Sequence, residues 1–136
     1  MDADPEALEG RFQGAVRLTY LHDSVKRLLR DQTLFEGFGR FDLVYSTGLL
    51  DYFQRSTGVV LSRRLAGLLK PAGRLLMANM VDQPTRWLME WHLDWNLLYR
   101  TRDELLDIGR RAVPTAQVRI LEEDTGINPF FELTRA

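Results

Sequence analysis

Phe41-Asp42-Leu43-Val44-Tyr45-Ser46 and, further on, Lys70-Pro71-Ala72-Gly73-Arg74-Leu75-Leu76-Met77-Ala78-Asn79-Met80 decide how this chain folds. The first is a compact apolar run with β-branched and aromatic residues, which reads as a strand over 41–45 closed by Ser46-Thr47-Gly48. The second becomes nearly continuous in apolar residues from Arg74 to Met80, the pattern of a strand covered on both faces. Between them Val60, Leu61, Leu65 and Leu68 recur at helical spacing, with Ser56 or Thr57 as the cap. Pro71 and Gly73 stop that helix and make the turn into the second strand. Strand, helix, turn and strand in this order form the repeating unit of an open parallel α/β sheet.

Toward the N-terminus, Asp4-Pro5-Glu6 starts a helix carrying Leu8, Phe12 and Ala15, weakened by Gly10 and Gly14. Val16 to Leu21 alternates and is expected to be a strand, ended by His22-Asp23. Val25, Leu28 and Leu29 mark a short helix with Lys26, Arg27 and Arg30 facing out, and the glycine-containing run up to Arg40 ends as a loop. Toward the C-terminus, Leu49, Leu50, Tyr52 and Phe53 form an apolar cluster after the first strand. Pro84 to Tyr99 reads as a helix with Leu88, Trp91, Trp95 and Leu98 in a stripe that Trp87 and Tyr99 widen, and the spacing favours a core helix. Thr101 and Glu104 make a capping box for a further helix. Gln117 to Glu122 and Phe130 to Thr134, joined through Asp124-Thr125-Gly126, read as an antiparallel pair at the end of the sheet.

The 136 residues suffice for one domain with a buried core. The formal net charge of -1, with both signs scattered, gives no nucleic-acid groove and no strongly basic membrane surface. The absence of cysteine removes disulfides, thiolate nucleophiles and cysteine metal sites. No apolar run approaches bilayer-spanning length, and the acidic N-terminus is no signal peptide, so the cytoplasm is the default compartment.

Three segments carry a family resemblance. Phe41 to Ser46, Leu68-Leu69-Lys70-Pro71-Ala72-Gly73-Arg74-Leu75-Leu76, and Met1-Asp2-Ala3-Asp4-Pro5-Glu6-Ala7-Leu8 together resemble a class I S-adenosylmethionine-dependent methyltransferase from the end of its second strand onward. Gly48-Leu49-Leu50-Asp51-Tyr52, Met89-Glu90-Trp91-His92-Leu93-Asp94-Trp95 and Tyr99-Arg100-Thr101 look, more narrowly, like bacterial methyltransferases of hydroxy-fatty-acid methyl ester biosynthesis. The resemblance implies an incomplete Rossmann-like methyltransferase sheet, mostly parallel with an antiparallel C-terminal strand, as a single partial domain over 1–136. It implies S-adenosyl-L-methionine as cofactor of the complete domain and a small-molecule acceptor, a fatty-acyl compound in the narrow version.

It also assigns residues. Asp2 matches the acidic residue that accepts the cofactor's ribose hydroxyls, and Asp23, beside His22, matches the polar position near adenine. Asp23 can equally cap the helix that follows, and His22 is an ordinary strand-end residue in the plainer reading. Ser46 and Thr47 would line the cofactor's methionine end, since ligands of open sheets sit beyond the carboxyl ends of strands. Asp51, Tyr52, Asn79, Trp91 and Tyr99 are the acceptor-side candidates, with Asn79 either facing the pocket or tethering a loop, and with Glu90, His92, Asp94 and Arg100 as a polar network near the substrate. The carboxylate pair is no metal motif, and no metal is expected. A carboxylate acceptor would need no general base, so no catalytic residue is assigned.

In the resembled fold the sheet order is 3-2-1-4-5-7-6. This chain supplies counterparts of strands three to seven and is expected to lack the first strand and the glycine-rich loop, for which Gly37-Phe38-Gly39 is no substitute because it precedes a strand. Two readings follow. One is a methyltransferase domain seen in part and inactive alone. The other is a non-catalytic dimerisation or regulatory module. In either, a homo-oligomer is expected through an exposed sheet edge or apolar face.

Overall fold

The computed structural model describes residues 10, 11, 15–31 and 33–136. They fall into two compact units divided after Leu34. Asp2 and most of the helix expected after Pro5 lie outside the described residues.

In the first unit, helix α1 (Val25–Arg30) is capped by the Ser24 hydroxyl, which accepts from the Arg27 amide at 3.2 Å. Val25, Leu28 and Leu29 are half-buried while Lys26, Arg27 and Arg30 are exposed, as their spacing predicts. Arg27 bridges Asp23 and Asp31, each four residues away along the helix. The strand expected over 16–21 does not form: residues 17–24 have no regular secondary structure and the sheet does not include them. Strand propensity describes fit to a pleated, half-buried surface. Here Val16, Tyr20 and Leu21 are exposed.

The second unit is built on one sheet. Strands β1 (Phe41–Ser46), β2 (Leu69–Ala78), β3 (Gln117–Leu121) and β4 (Phe130–Thr134) lie in the order β1-β2-β4-β3. β1 and β2 are parallel, and β4 runs antiparallel to both β2 and β3. Three strands therefore share one direction and the C-terminal strand opposes them. Helices α2 (Arg55–Gly67) and α4 (Arg102–Ala112) pack on one sheet face, and α3 (Arg86–Leu93) stands between β2 and α4 in sequence.

Register separates the two faces. Val44, Leu75, Leu133 and Val118 align across the sheet, as do Ser46, Met77, Phe131 and Ile120. These rows meet the helices, and Leu75, Met77, Phe131 and Leu133 are fully buried with Leu61, Leu105 and Ile108. Gly109 allows the approach, since a Cβ there would sit 2.7 Å from Val118 Cγ1. The opposite face carries Tyr45, Leu76, Glu132 and Arg119 in one row. There Leu76 is half-buried and Tyr45 exposed, so the apolar run of β2 is covered fully on one face only.

Lys70-Pro71-Ala72-Gly73 is not a turn before β2 but an irregularity inside it. β1 pairs Phe41 with Leu69 and then Leu43 with Arg74, so the residues between bulge out. Ala72 takes a φ of 59°. Gly73 is required by crowding, because a Cβ would lie 2.9 Å from the Lys70 carbonyl and 3.0 Å from that of Phe41. The Ala72 amide donates to Arg135 O and the Arg135 amide to Gly73 O, pinning the bulge. α2 begins after Gln54, without a side-chain cap, so neither Ser56 nor Thr57 caps it. The capping box of Thr101 and Glu104 forms as expected, and so does the turn after β3, where Glu123 accepts from the Asn128, Thr125 and Ile127 amides. Those donors, the Asn128 amide foremost, hold the Glu123 carboxyl at about 2.

Candidate functional site at the carboxyl rim of the sheet

Two loops leave the carboxyl ends of the adjacent parallel strands β1 and β2, the place where open sheets hold ligands. A buried polar cluster locks them together. Asn79, the residue after β2, is fully buried. Its Nδ2 donates to Met80 O and Leu98 O, both at 2.9 Å, and its Oδ1 accepts from Arg100 Nη1. Arg100 also donates to Leu50 O at 3.0 Å and to Phe53 O. Asp51 accepts the Met80 amide at 2.7 Å on its carboxylate and the Leu98 amide at 2.8 Å on its carbonyl. One side chain from each of three segments thus clamps the loop after β1, the loop after β2 and the run into α4.

The electrostatics follow from that burial. Desolvation pushes the Asp51 carboxyl up, opposed by the Met80 amide and the Arg100 charge. Desolvation likewise pushes Arg100 down, against the pull of Asp51. Tyr99 is raised, first by burial and then by the Glu90 charge, while the Arg86 guanidinium lies 4.5 Å over its ring. Tyr52 and Trp95 meet at the rim, with Trp95 Nε1 donating to the Tyr52 hydroxyl at 2.7 Å.

The structure brings Asp51, Tyr52, Asn79 and Tyr99 to this rim, beside Ser46 and Thr47 at the end of β1. Ser46 is half-buried and Thr47 exposed, and among the described residues no hydrogen bond engages either hydroxyl. His22 and Asp23 belong to the first unit. Asp23 accepts from the Ser24 amide and from Arg27, so its carboxylate serves the start of α1. Trp91 is 87% exposed on α3.

The polar network expected from Glu90, His92, Asp94 and Arg100 does not form. Glu90 pairs with Arg86, and Arg100 turns inward. The expected helix to Tyr99 ends at Leu93, where Asp94 adopts a left-handed φ of 47°. Beyond it the Leu98 and Arg100 amides bond to Asp51 O and Met80 O, which holds the chain extended. The expected core helix is also inverted: α3 buries Met89 and leaves Trp87, Leu88, Trp91 and Leu93 exposed. Arg100, expected on the substrate side, is instead buried against Leu50 O, Phe53 O and Asn79 Oδ1, a placement unusual for arginine.

No family model matches the chain, and no curated protein matches it. Solved structures do. An O-methyltransferase family protein from Burkholderia thailandensis superposes with a TM-score of 0.66 at 21% identity, over 96% of this chain and 39% of its own. The mitomycin 7-O-methyltransferase MmcR gives 0.63 at 22% identity, over 96% of this chain and 38% of its own.

The fold is methyltransferase-like.

Magnesium protoporphyrin IX methyltransferase (ChlM) from Synechocystis PCC 6803, solved with SAH bound, matches 96% of this chain and 57% of its own at 10% identity and a TM-score of 0.63. The chain therefore spans between about two fifths and three fifths of these methyltransferases. Among the described residues no helix is long and apolar enough to cross a membrane.

Proposed function

We propose that these residues form the acceptor-side part of a domain that transfers the methyl group of S-adenosyl-L-methionine to a small-molecule acceptor, and that alone they do not turn over. The observation that carries this reading is the β1-β2-β4-β3 order with β4 reversed, ending in an organised carboxyl rim. The described residues fit one margin of the cofactor. Ser46 and Thr47 offer open hydroxyls there, whereas the polar groups of Asp51, Asn79 and Arg100 are engaged within the protein. When bound, the cofactor supplies an electrophilic methyl group; the chain's part is to hold the acceptor against it.

Tyr52, Trp95 and Tyr99 would contact the acceptor, for which a fatty-acyl compound is the first candidate. Asp51 and Asn79 act as positioning residues, through the loops they hold. Asp2 for the ribose and His22 with Asp23 for the adenine rest on family resemblance alone. A non-catalytic module is the second reading, favoured by the internal satisfaction of the rim's buried polar groups.

The test compares the 136-residue chain with a version extended by the coding sequence upstream of Met1. Both are incubated with methyl-labelled S-adenosyl-L-methionine and a hydroxy-fatty acid. The reading expects label in the lipid fraction from the extended version only. Turnover by the 136-residue chain alone would overturn its dependence on further sequence. Failure of the extended version to bind cofactor at millimolar concentration would favour the non-catalytic module.

A further inference from the structure

A groove between α2 and the end of α4 gathers positive charge in a chain whose formal net charge is -1. One stretch of it, about 840 Å³, runs along α2 from Gln54 to Arg63 and is walled by Arg55, Arg63 and Arg111. A second, about 290 Å³, shares Arg63 and Pro114 with the first and continues to Gly67 and Arg135. Among the described residues that line the two stretches there is no Asp or Glu. The carboxylate paired with these arginines is Asp107, which accepts from Arg55 and Arg111. Arg63 donates to Ala112 O and Arg111 O, both at 3.1 Å, and Arg135 donates to Leu69 O. Those carbonyls hold the guanidinium groups in place without cancelling their charge. Four cations thus stand against one anion, and a concave wall of one sign concentrates its field. Val59, Val60, Val113 and Pro114 make the rest of the surface apolar, and Val60 is 47% exposed.

We infer that this groove docks an acidic amphipathic helix of a partner protein, with apolar side chains along Val59 and Val60 and carboxylates toward the arginines. The charge is complementary, and complementary charge steers encounter and fixes register. The length fits as well. The 13 residues of α2 give a wall about 20 Å long, which matches roughly four turns of a second helix. Gln54, Arg55, Val60, Arg63 and Gly67 are all exposed, so the groove is open along that length. An apolar strip edged by charges of one sign is the recognition mode of a helix laid in a groove. A single-stranded nucleic acid fits poorly, since no aromatic side chain lines either stretch for bases to stack on. None of these residues belongs to the cofactor or acceptor side of the rim, so the inference stands whether or not the domain transfers methyl groups.

The probe is a fluorescein-labelled helical peptide of about 16 residues, with leucine along one stripe and glutamate on both flanks. Its fluorescence anisotropy is followed as the 136-residue chain is added, beside an analogue with lysine in place of every glutamate. Saturable binding of the glutamate peptide is expected below millimolar concentration. It should weaken about 10-fold or more between roughly 50 and 300 mM NaCl. Val60→Glu and Arg55→Gln, both at exposed positions, should each weaken it about 10-fold with unchanged far-UV circular dichroism. Lys70→Glu, on the bulge of β2, should leave it intact. No binding at millimolar peptide would overturn the inference, as would equal binding of the lysine analogue. Binding that survives both Val60→Glu and Arg55→Gln would place the peptide elsewhere and overturn it too. A short single-stranded oligonucleotide that displaces the probe more readily than unlabelled peptide does would replace the acidic helix with a nucleic acid.

Discussion

The clamp at the rim and the outward face of α3 are close in sequence and opposite in construction. In the clamp, polar and charged side chains are buried, and Asp51, Asn79 and Arg100 each find hydrogen-bond partners. On α3, large apolar side chains are exposed and Met89 alone is buried. The clamp does inside the chain what apolar packing does elsewhere: it fixes loops that carry little core. The α3 face offers its apolar surface outward. Stability should therefore depend far more on the first region than on the second, and substitutions can separate them.

The largest loss should follow Arg100→Ala. Phe53 O and Asn79 Oδ1 lose their donor, while Leu50 O keeps the Phe53 amide, which costs about 3 kcal/mol. Urea unfolding measures it. Asn79→Ala should cost about 2 kcal/mol, since Leu98 O and Arg100 lose a partner each while Met80 O keeps the Arg100 amide. Equal stability for either variant would show that the clamp is ornamental.

Asp51→Asn sharpens the same comparison by sign. The Asp51 carboxyl is held above its ordinary value of 3.8, so the folded state binds its proton more tightly than the unfolded chain does. Its contribution is fully present below 3.8 and is lost as pH rises through the raised folded value. The asparagine keeps an acceptor for the Met80 amide and removes this dependence. The variant's stability should then fall less with rising pH across that window, measured by urea midpoints on either side of it. The smallest effect belongs to α3, where Trp91→Ser should change monomer stability by no more than about 0.5 kcal/mol in thermal unfolding.

The scaffold was legible because its signals are local. The β1 run, the Leu61 and Leu65 face of α2, the Thr101 to Glu104 box and the β3–β4 pair each follow from spacing over a few residues. The errors came where distant groups decide. Val16 to Leu21 has strand composition but an exposed setting. The helical stripe through Trp95 and Leu98 yields to hydrogen bonds that the Leu98 and Arg100 amides donate to the Asp51 and Met80 carbonyls, which no local pattern reveals. Asn79 is legible as a polar residue at a strand end, whereas Asp51 enters only through the family resemblance. Their partner Arg100 was placed on a substrate surface because its inward turn depends on carbonyls of the loop after β1.

Photo-crosslinking of labelled S-adenosyl-L-methionine to the upstream-extended chain, followed by peptide mapping, tests the central claim most directly. The account predicts label on the peptides that carry Ser46-Thr47 or the Tyr52 and Trp95 rim, competed by SAH. Label confined to the outer surfaces of α2 and α4, or none that SAH displaces, would contradict it.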